Sequence, residues 1–465
     1  MRIQPLKRPL VWASLLLLTG CQTSSVPDVK AVKHQLDIPA DWSSEYPEQP
    51  RTVDYPSAEW WRIFNDGQLN DLVELVLHKN QDLAAAVFRL REAEISQRLV
   101  ATHSAPDLTA GLSGRTSKQL NRATPSFRAY SSSLSLNYEV DLWGKLATVR
   151  EAAAWESSAT LFDLGSARLK LIASALERYW RQTWYAERLR LLQDEHRRLD
   201  YLLKLTRLRY QVGKGSQLDV LQAQQEMDNH DNERERLLSQ QQENLRSLSA
   251  LLAQPPGQRF PFHFRDALTD EIAMVEAPLP VALLARRPDL QAAEYRLRSR
   301  FANIDVTRKS FYPTLSLNSS VDAGANRELM KILRDPVGAF GAGLILPFLQ
   351  FREMGLKTGI AEMQYRQAAA EFSQMFYTVL TEVENVLAQR AYYYQESLRL
   401  QRVAQTAGNT WIASETAWKA GLLSLKEVLD QQQTLINVQQ QQAENRLNRH
   451  LSEMRFFLVT GDNIQ

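Results

Sequence analysis

Asn80–Gly114 reads NQDLAAAVFRLREAEISQRLVATHSAPDLTAGLSG, and Arg287–Val321 reads RPDLQAAEYRLRSRFANIDVTRKSFYPTLSLNSSV. Asp82-Leu83 matches Asp289-Leu290, Arg89-Leu90 matches Arg296-Leu297, and Pro106 matches Pro313, all at an offset of 207 (313 − 106). Further along, Tyr210-Gln-Val-Gly-Lys-Gly-Ser216 aligns with Trp418-Lys-Ala-Gly-Leu-Leu-Ser424 at an offset of 208 (421 − 213). An acid-Val-Leu triplet follows each, Asp219-Val220-Leu221 and Glu427-Val428-Leu429. A near-constant offset marks one structural unit duplicated in tandem. Function then concentrates where the copies meet, or where several chains arrange the units in a ring.

Outward from these stretches the period of the sequence changes. Asp66 is placed to cap a helix running through Leu69, Leu72, Val73, Val76 and Leu77 and on to about His103. Over 105–143 the alternation is twofold. Leu108, Ala110 and Leu112 face one way, as do Tyr130, Leu134, Leu136, Tyr138, Val140 and Leu142, while the other parity is rich in Ser, Thr, Asn and acids. The second copy does the same through Leu315, Leu317 and Val321, then Phe340, Leu344, Leu346 and Phe348, giving strands over about 312–350. The rest reads as helix: Lys145 to about Val212, Leu218–Ala253, about Glu353–Ala420 and Leu425–Val459. The first of these spans roughly 100 Å at ~1.5 Å per residue, a length that points to coiled coil. Their polar faces are wide, as in helices wet on more than one side.

The N-terminus carries Arg2, Lys7 and Arg8, an apolar stretch Leu10–Leu18, and then Leu18-Thr19-Gly20-Cys21. That order is a signal peptide over 1–20, too short to span a bilayer as a helix. Leu-Thr-Gly-Cys resembles the bacterial lipoprotein signal, which implies lipidation of Cys21, and Gln22 after it resembles lipoproteins sent to the outer membrane. Cys21 is the only cysteine, so the chain has no internal disulfide. Residues 21–56 read as an extended, lipid-anchored tether. Repeat 1 then occupies 57–257 and repeat 2 occupies 258–465.

A net charge of +2 over 465 residues leaves no nucleic-acid footprint. Acids interleave the arginines between Glu187 and Arg209, as on a solvated or salt-bridged helix face. The seven His are scattered singly, with no metal-site spacing, and no nucleophile, base and acid share a motif. Neither an enzyme nor a cofactor is expected. About four membrane strands per chain cannot close a barrel, and open edges in lipid leave backbone groups unsatisfied. Strands pooled from several chains solve this; three chains would give twelve.

These residues resemble the outer-membrane efflux proteins, the TolC, OprM and NodT group, over nearly all of the mature chain. The resemblance rests on Trp60…Phe64-Asn-Asp66, Asn80-Gln-Asp-Leu83, Tyr138-Glu-Val-Asp-Leu-Trp-Gly144, Arg209-Tyr-Gln-Val-Gly213…Leu218-Asp-Val-Leu-Gln-Ala-Gln224, and Arg287-Pro-Asp-Leu290…Tyr312-Pro-Thr-Leu-Ser316. It implies an α+β membrane protein, a homotrimer with one shared 12-stranded β-barrel on an α-helical periplasmic barrel. It also implies a passive exit duct for drugs or small solutes, lipid-anchored in the outer membrane and extending into the periplasm. The implied partners are a periplasmic adaptor and an inner-membrane transporter of RND, MFS or ABC type.

Gly213 and Gly421 sit in the inter-helix turns placed farthest from the strands, at the expected periplasmic tip. Glu427 and Asp430, at i and i+3, share a helix face. In the resembled family, acids at these two positions form the periplasmic constriction, with Asp219 a neighbour here. The chain departs from some members, which carry Tyr and Arg where Trp418 and Leu423 stand, so a latch would use other groups, such as Lys419 or Lys426. Two other readings stay open: a duct for type I protein secretion, and a lipid-anchored periplasmic coiled-coil scaffold without a barrel. A lipid-anchored enzyme is a more distant one.

Overall fold

Ahead of the first copy lie helix α1 (Val29–His34) and strand β1 (Thr52–Val53). The first copy is α2 (Gly67–Lys79), α3 (Gln81–Thr102), β2 (Asp107–Ser117), β3 (Phe127–Val140), α4 (Lys145–Gln211) and α5 (Gln217–Leu251). Strand β4 (Met274–Val275) precedes the second copy: α6 (Leu283–Arg286), α7 (Pro288–Lys309), β5 (Thr314–Asn326), β6 (Pro336–Ile345), α8 (Phe351–Lys419) and α9 (Leu425–Thr460). The computed structural model describes residues 26–43, 52–53, 59–118, 120, 125–272, 274–326 and 335–461. The signal peptide and Cys21 lie outside the described residues. The chain divides into two compact units. One holds Met1–Asp37, His103–Ala152 and Leu297–Ser373; the other holds Ile38–Thr102, Ala153–Arg296 and Gln374–Gln465.

The first unit is built on one antiparallel sheet in the order β2-β3-β5-β6, so the central pairing joins strands of the two copies. Ala110 is opposite Leu134, Leu134 opposite Val321, and Leu317 opposite Ala342. This register puts the apolar parity of all four strands on one face. Asp107, Thr109, Ser133, Ser135, Asn137, Ser316 and Asn318 hold the other, where Ser113 and Ser131 share a 2.7 Å hydrogen bond. Leu112 is 72% exposed and Phe340 76%, so among the described residues nothing covers the apolar face there. Among the described residues β2 and β6 pair on one side only. A scaffold of helices alone has no such sheet. Strand β6 stops at Ile345, short of the expected 350: Pro347 lacks an N–H for the ladder and opens a 3-10 turn over Pro347–Gln350, so Phe348 is not a strand residue. Likewise β3 ends at Val140, and Asp141 accepts from the N–H groups of Leu146 and Ala147 to start α4.

Part of the tether is folded rather than extended. Asp28 caps α1, Val29 and Val32 are buried, and the Tyr365 hydroxyl donates to the Pro27 carbonyl at 2.8 Å. Farther on, β1 pairs in parallel with β4, and Trp42 Nε1 donates to the Pro278 carbonyl at 2.8 Å. These contacts are distant in sequence, so the local composition of 21–56 does not announce them.

The second unit is helical. Asp66 caps α2 as expected, and its carboxylate also takes a hydrogen bond from Tyr179 and pairs with Arg265 at 2.9 Å. The single helix expected to His103 is broken at Asn80. Its backbone is extended, its Oδ1 accepts from Leu83 N–H, and its Nδ2 donates to the Leu251 carbonyl at 3.0 Å. The second copy repeats this contact one duplication later, Arg287 Nη1 donating to the Val459 carbonyl at 3.1 Å. The ends of the last helices repeat too. Ala253 stands at φ 49° where the second copy has Gly461 at φ 81°. The left-handed conformation disfavours any residue with a Cβ, so copy one carries backbone strain that copy two avoids.

Trp60 and Trp61 are buried, Trp60 stacked on Phe457 with centroids 4.8 Å apart. Beside them His450 lies between Phe64 and Trp180 and donates through Nδ1 to the Arg446 carbonyl at 2.9 Å. Burial pushes its pKa down to about 4. The unfolded chain therefore binds the proton first as pH falls. Stability from the neutral ring is complete above about pH 6.5 and is lost as pH falls from there toward 4, by about 2 kcal/mol at pH 5. We expect the thermal midpoint to drop between pH 7 and pH 5, and His450→Gln to flatten that drop. An unchanged slope in the variant would place the titration elsewhere.

Candidate functional site

The two turns singled out from the sequence both lie in the helical unit and have the same construction. At the end of α4, Gly213 N–H donates to the Tyr210 carbonyl and Lys214 N–H to the Arg209 carbonyl, with Gly213 at φ 72°. At the end of α8, Gly421 N–H donates to the Trp418 carbonyl and Leu422 N–H to the Ala417 carbonyl, with Gly421 at φ 80°. This closing pattern satisfies orphan carbonyls at a helix end and requires the left-handed residue that glycine supplies. Three residues on, the next helix starts with a reciprocal cap. Ser216 Oγ accepts from Asp219 N–H while Asp219 Oδ2 accepts from Ser216 N–H; Ser424 and Glu427 do the same.

Asp219 and Glu427 thus act locally, each carboxylate holding the start of its own helix. Two hydrogen bonds from Ser424, one from its hydroxyl and one from its backbone, keep the Glu427 carboxyl below the usual range, so it is ionised. Asp430 differs. It is exposed, and among the described residues no hydrogen bond or ion pair engages its carboxylate. Within one chain no such link joins Asp219 to Glu427 or Asp430 among the described residues. The S-x-x-D and S-x-x-E spacing of Ser216 and Ser424 is the sequence signal for these caps, and reading the acids for charge alone misses it.

Trp418 stands in the last turn of α8. It is 1% exposed, packs with Leu202 and Val428, and carries the Arg209 guanidinium 4.5 Å from its ring centroid. Its Nε1 has no hydrogen-bond partner among the described residues. The contact is a cation–π pair that ties the end of α4 to the end of α8. Leu423 packs against the same cluster. Lys419 pairs with Glu415 of its own helix at 2.8 Å, and Lys426 has no ion pair among the described residues. A second cross-link lies deeper, where Arg446 of α9 pairs with Glu187 of α4.

No His spacing in the sequence reads as a metal site, yet the pairing of α4 with α5 brings His196 and His230 together, ring centroids 5.3 Å apart. Among the described residues no helix is long and apolar enough to cross a membrane. The apolar face of the sheet is a surface suited to lipid.

One chain thus carries an amphipathic four-stranded sheet, its outer strands each unpaired on one side among the described residues, and a duplicated set of long hairpin helices. The profile of the outer membrane efflux protein family matches residues 72–254 and 279–462, two blocks at the duplication offset (279 − 72 = 207). The chain belongs to the outer membrane efflux protein family. It is 28% identical over 464 residues to the pyoverdine export outer membrane protein OpmQ of Pseudomonas putida, covering 97% of this chain and 96% of that protein. It is 24% identical over 458 residues to the cation efflux system protein CusC of Escherichia coli, covering 97% of each. In fold it is similar to the CmeC outer membrane channel of Campylobacter jejuni, with a TM-score of 0.80 at 19% identity, over 95% of this chain and 96% of that one.

Proposed function

We propose that the chain is the outer-membrane exit duct of a tripartite efflux pump, a homotrimer that passes drugs or other small solutes passively. The observation that carries this is the four-stranded sheet, apolar on one face, polar on the other and, among the described residues, open at both edges. In hydrocarbon the open edges would cost several kcal/mol per unpaired group. Three copies closing edge to edge make a 12-stranded barrel with the apolar parity outward and the Ser- and Asn-rich parity lining a wet lumen. Lipid at Cys21 anchors the assembly. Cys21→Ser abolishes incorporation of labelled palmitate; label retained in the variant rules the anchor out. The adaptor and an RND, MFS or ABC transporter of the inner membrane complete the pump, and the energy comes from the transporter.

The turns at Gly213 and Gly421 form the periplasmic tip, and Glu427 and Asp430 its constriction, with Asp219 beside them. Threefold repetition turns each acid into a ring, and rings of carboxylates select and hold cations. The test is planar-bilayer conductance of the detergent-extracted protein, with its oligomeric mass recorded. Discrete conducting steps from a trimer are expected. Asp430→Asn is the cleaner variant, because Asp430 caps nothing; Glu427→Gln also disturbs the Ser424 cap. Together they raise single-channel conductance and lower block by multivalent cations. Unchanged values for both would remove these residues from the constriction, while a duct that conducts normally would stand.

A further inference from the structure

Three ligand-bearing side chains outside the tip converge where α4 packs on α5. His196 Nδ1 is 3.5 Å from Asp231 Oδ1, and His230 Nδ1 is 3.3 Å from the same oxygen. One donor atom from each of the three residues lies within 4.8 Å of the others. The His230 side chain is only 2% exposed, and its Nε2 stands 2.8 Å from the Leu192 carbonyl oxygen. A carbonyl oxygen accepts only, so Nε2 carries the ring proton and Nδ1 presents a lone pair. That lone pair faces a carboxylate oxygen. Two acceptors 3.3 Å apart, one of them the buried His230 nitrogen, call for a positive centre between them.

We propose that His196, His230 and Asp231 form a binding site for one divalent transition-metal ion of the zinc class. A tetrahedral ion with bonds of ~2.0–2.1 Å to nitrogen and oxygen sets its ligand atoms about 3.3–3.4 Å apart. His230 Nδ1 matches that spacing from Asp231 Oδ1 at 3.3 Å, and His196 Nδ1 is slightly wider at 3.5 Å. Imidazole nitrogen with one carboxylate suits Zn²⁺, Co²⁺ or Cu²⁺ and not Mg²⁺ or Ca²⁺, which take oxygen. The hydrogen bond from His230 to Leu192 is the outer contact that metal-bound histidines use to hold their tautomer and ring plane. His196 and Asp231 are about half exposed, at 47% and 56%, so the ion has a path in and a fourth position open to water. Histidines at 196 and 230 belong to two helices, so an ion there ties α4 to α5 beside the apolar cluster of Leu192 and Leu237. This site stands independently of the duct.

The test is titration of the untagged, detergent-extracted full chain with Zn²⁺ by calorimetry, and with Co²⁺ by visible absorption. The expected result is one ion per chain, tetrahedral ligand-field bands with Co²⁺, and no competition from Mg²⁺ or Ca²⁺. His196→Ala and Asp231→Asn change exposed positions and leave the fold intact; each weakens binding about tenfold or more, whereas His103→Ala, at an exposed histidine elsewhere, leaves it unchanged. Absence of saturable binding overturns the proposal. Equal binding by His196→Ala, Asp231→Asn and the parent protein overturns it as well.

Discussion

Arg390→Met lowers the stability of the folded protein by about 3–5 kcal/mol, the cost of stranding a buried charge. Arg390 and Glu453 are 0% and 4% exposed, with Nε and Oε1 2.8 Å apart. Arg390 also donates to the Val275 carbonyl at 3.0 Å and lies 4.0 Å above the Phe456 ring. The guanidinium thereby joins α8, α9 and the β1–β4 pair. Methionine keeps most of the stem volume and removes the charge, so the loss reads the ion pair more than a cavity. Burial already raises the Glu453 carboxyl above its usual pKa, with Arg390 holding it back. Without Arg390 the folded-state pKa rises further. The variant's deficit is then small where the acid is protonated in both states, and grows as pH rises above the unfolded carboxylate's value of about 4.3. Arg390→Met with Glu453→Leu should recover most of the loss. The measurement is the thermal midpoint of helical circular dichroism in detergent at several pH values. A pH-independent deficit, or a double variant no better than the single, would contradict the account.

Leu134→Arg gives the second large effect. Leu134 sits mid-strand between Ala110 and Val321 on the apolar parity. If that face meets lipid, arginine there costs about 2–4 kcal/mol per chain at the bilayer midplane. Ser135→Arg, one residue on, puts the same charge on the polar face, where water solvates it. Folding yield into lipid vesicles, read by heat-dependent electrophoretic mobility, should collapse for Leu134→Arg and stay near the parent value for Ser135→Arg. The reverse ranking would turn the sheet inside out.

Much of this fold is legible in the sequence because it depends on near neighbours. Side-chain parity marks β2, β3 and β5. The runs of good helix formers between Gly turns mark α4, α5, α8 and α9 to within a few residues. Where sequence and structure part, a distant group or a single backbone constraint decides. Asn80 sits among helix formers, and the Leu251 carbonyl 171 residues away makes it a break. Leu346 and Phe348 continue the alternation of β6, but the ladder stops at Ile345, just ahead of the turn that Pro347 opens. Val29 and Val32 look like tether residues until tertiary packing buries them. His196 and His230, 34 residues apart (230 − 196), meet only through the register of two antiparallel helices. At the tip, charge draws the eye to the acids, while the serines three residues before Asp219 and Glu427 say what those two carboxylates hold.

The open-edged sheet also bears on how the protein is made. In water its bare apolar face and its two outer strands, unpaired on one side among the described residues, are a template for the wrong partner, whether a misregistered copy or any extended chain. The helices face no such hazard, since their backbone bonds close within each segment. Strand pairing is therefore the step best deferred until lipid and, for the proposed trimer, sister chains are at hand. A cell that overproduces the chain beyond its insertion capacity will accumulate it as sheet-mediated aggregates rather than as soluble monomer.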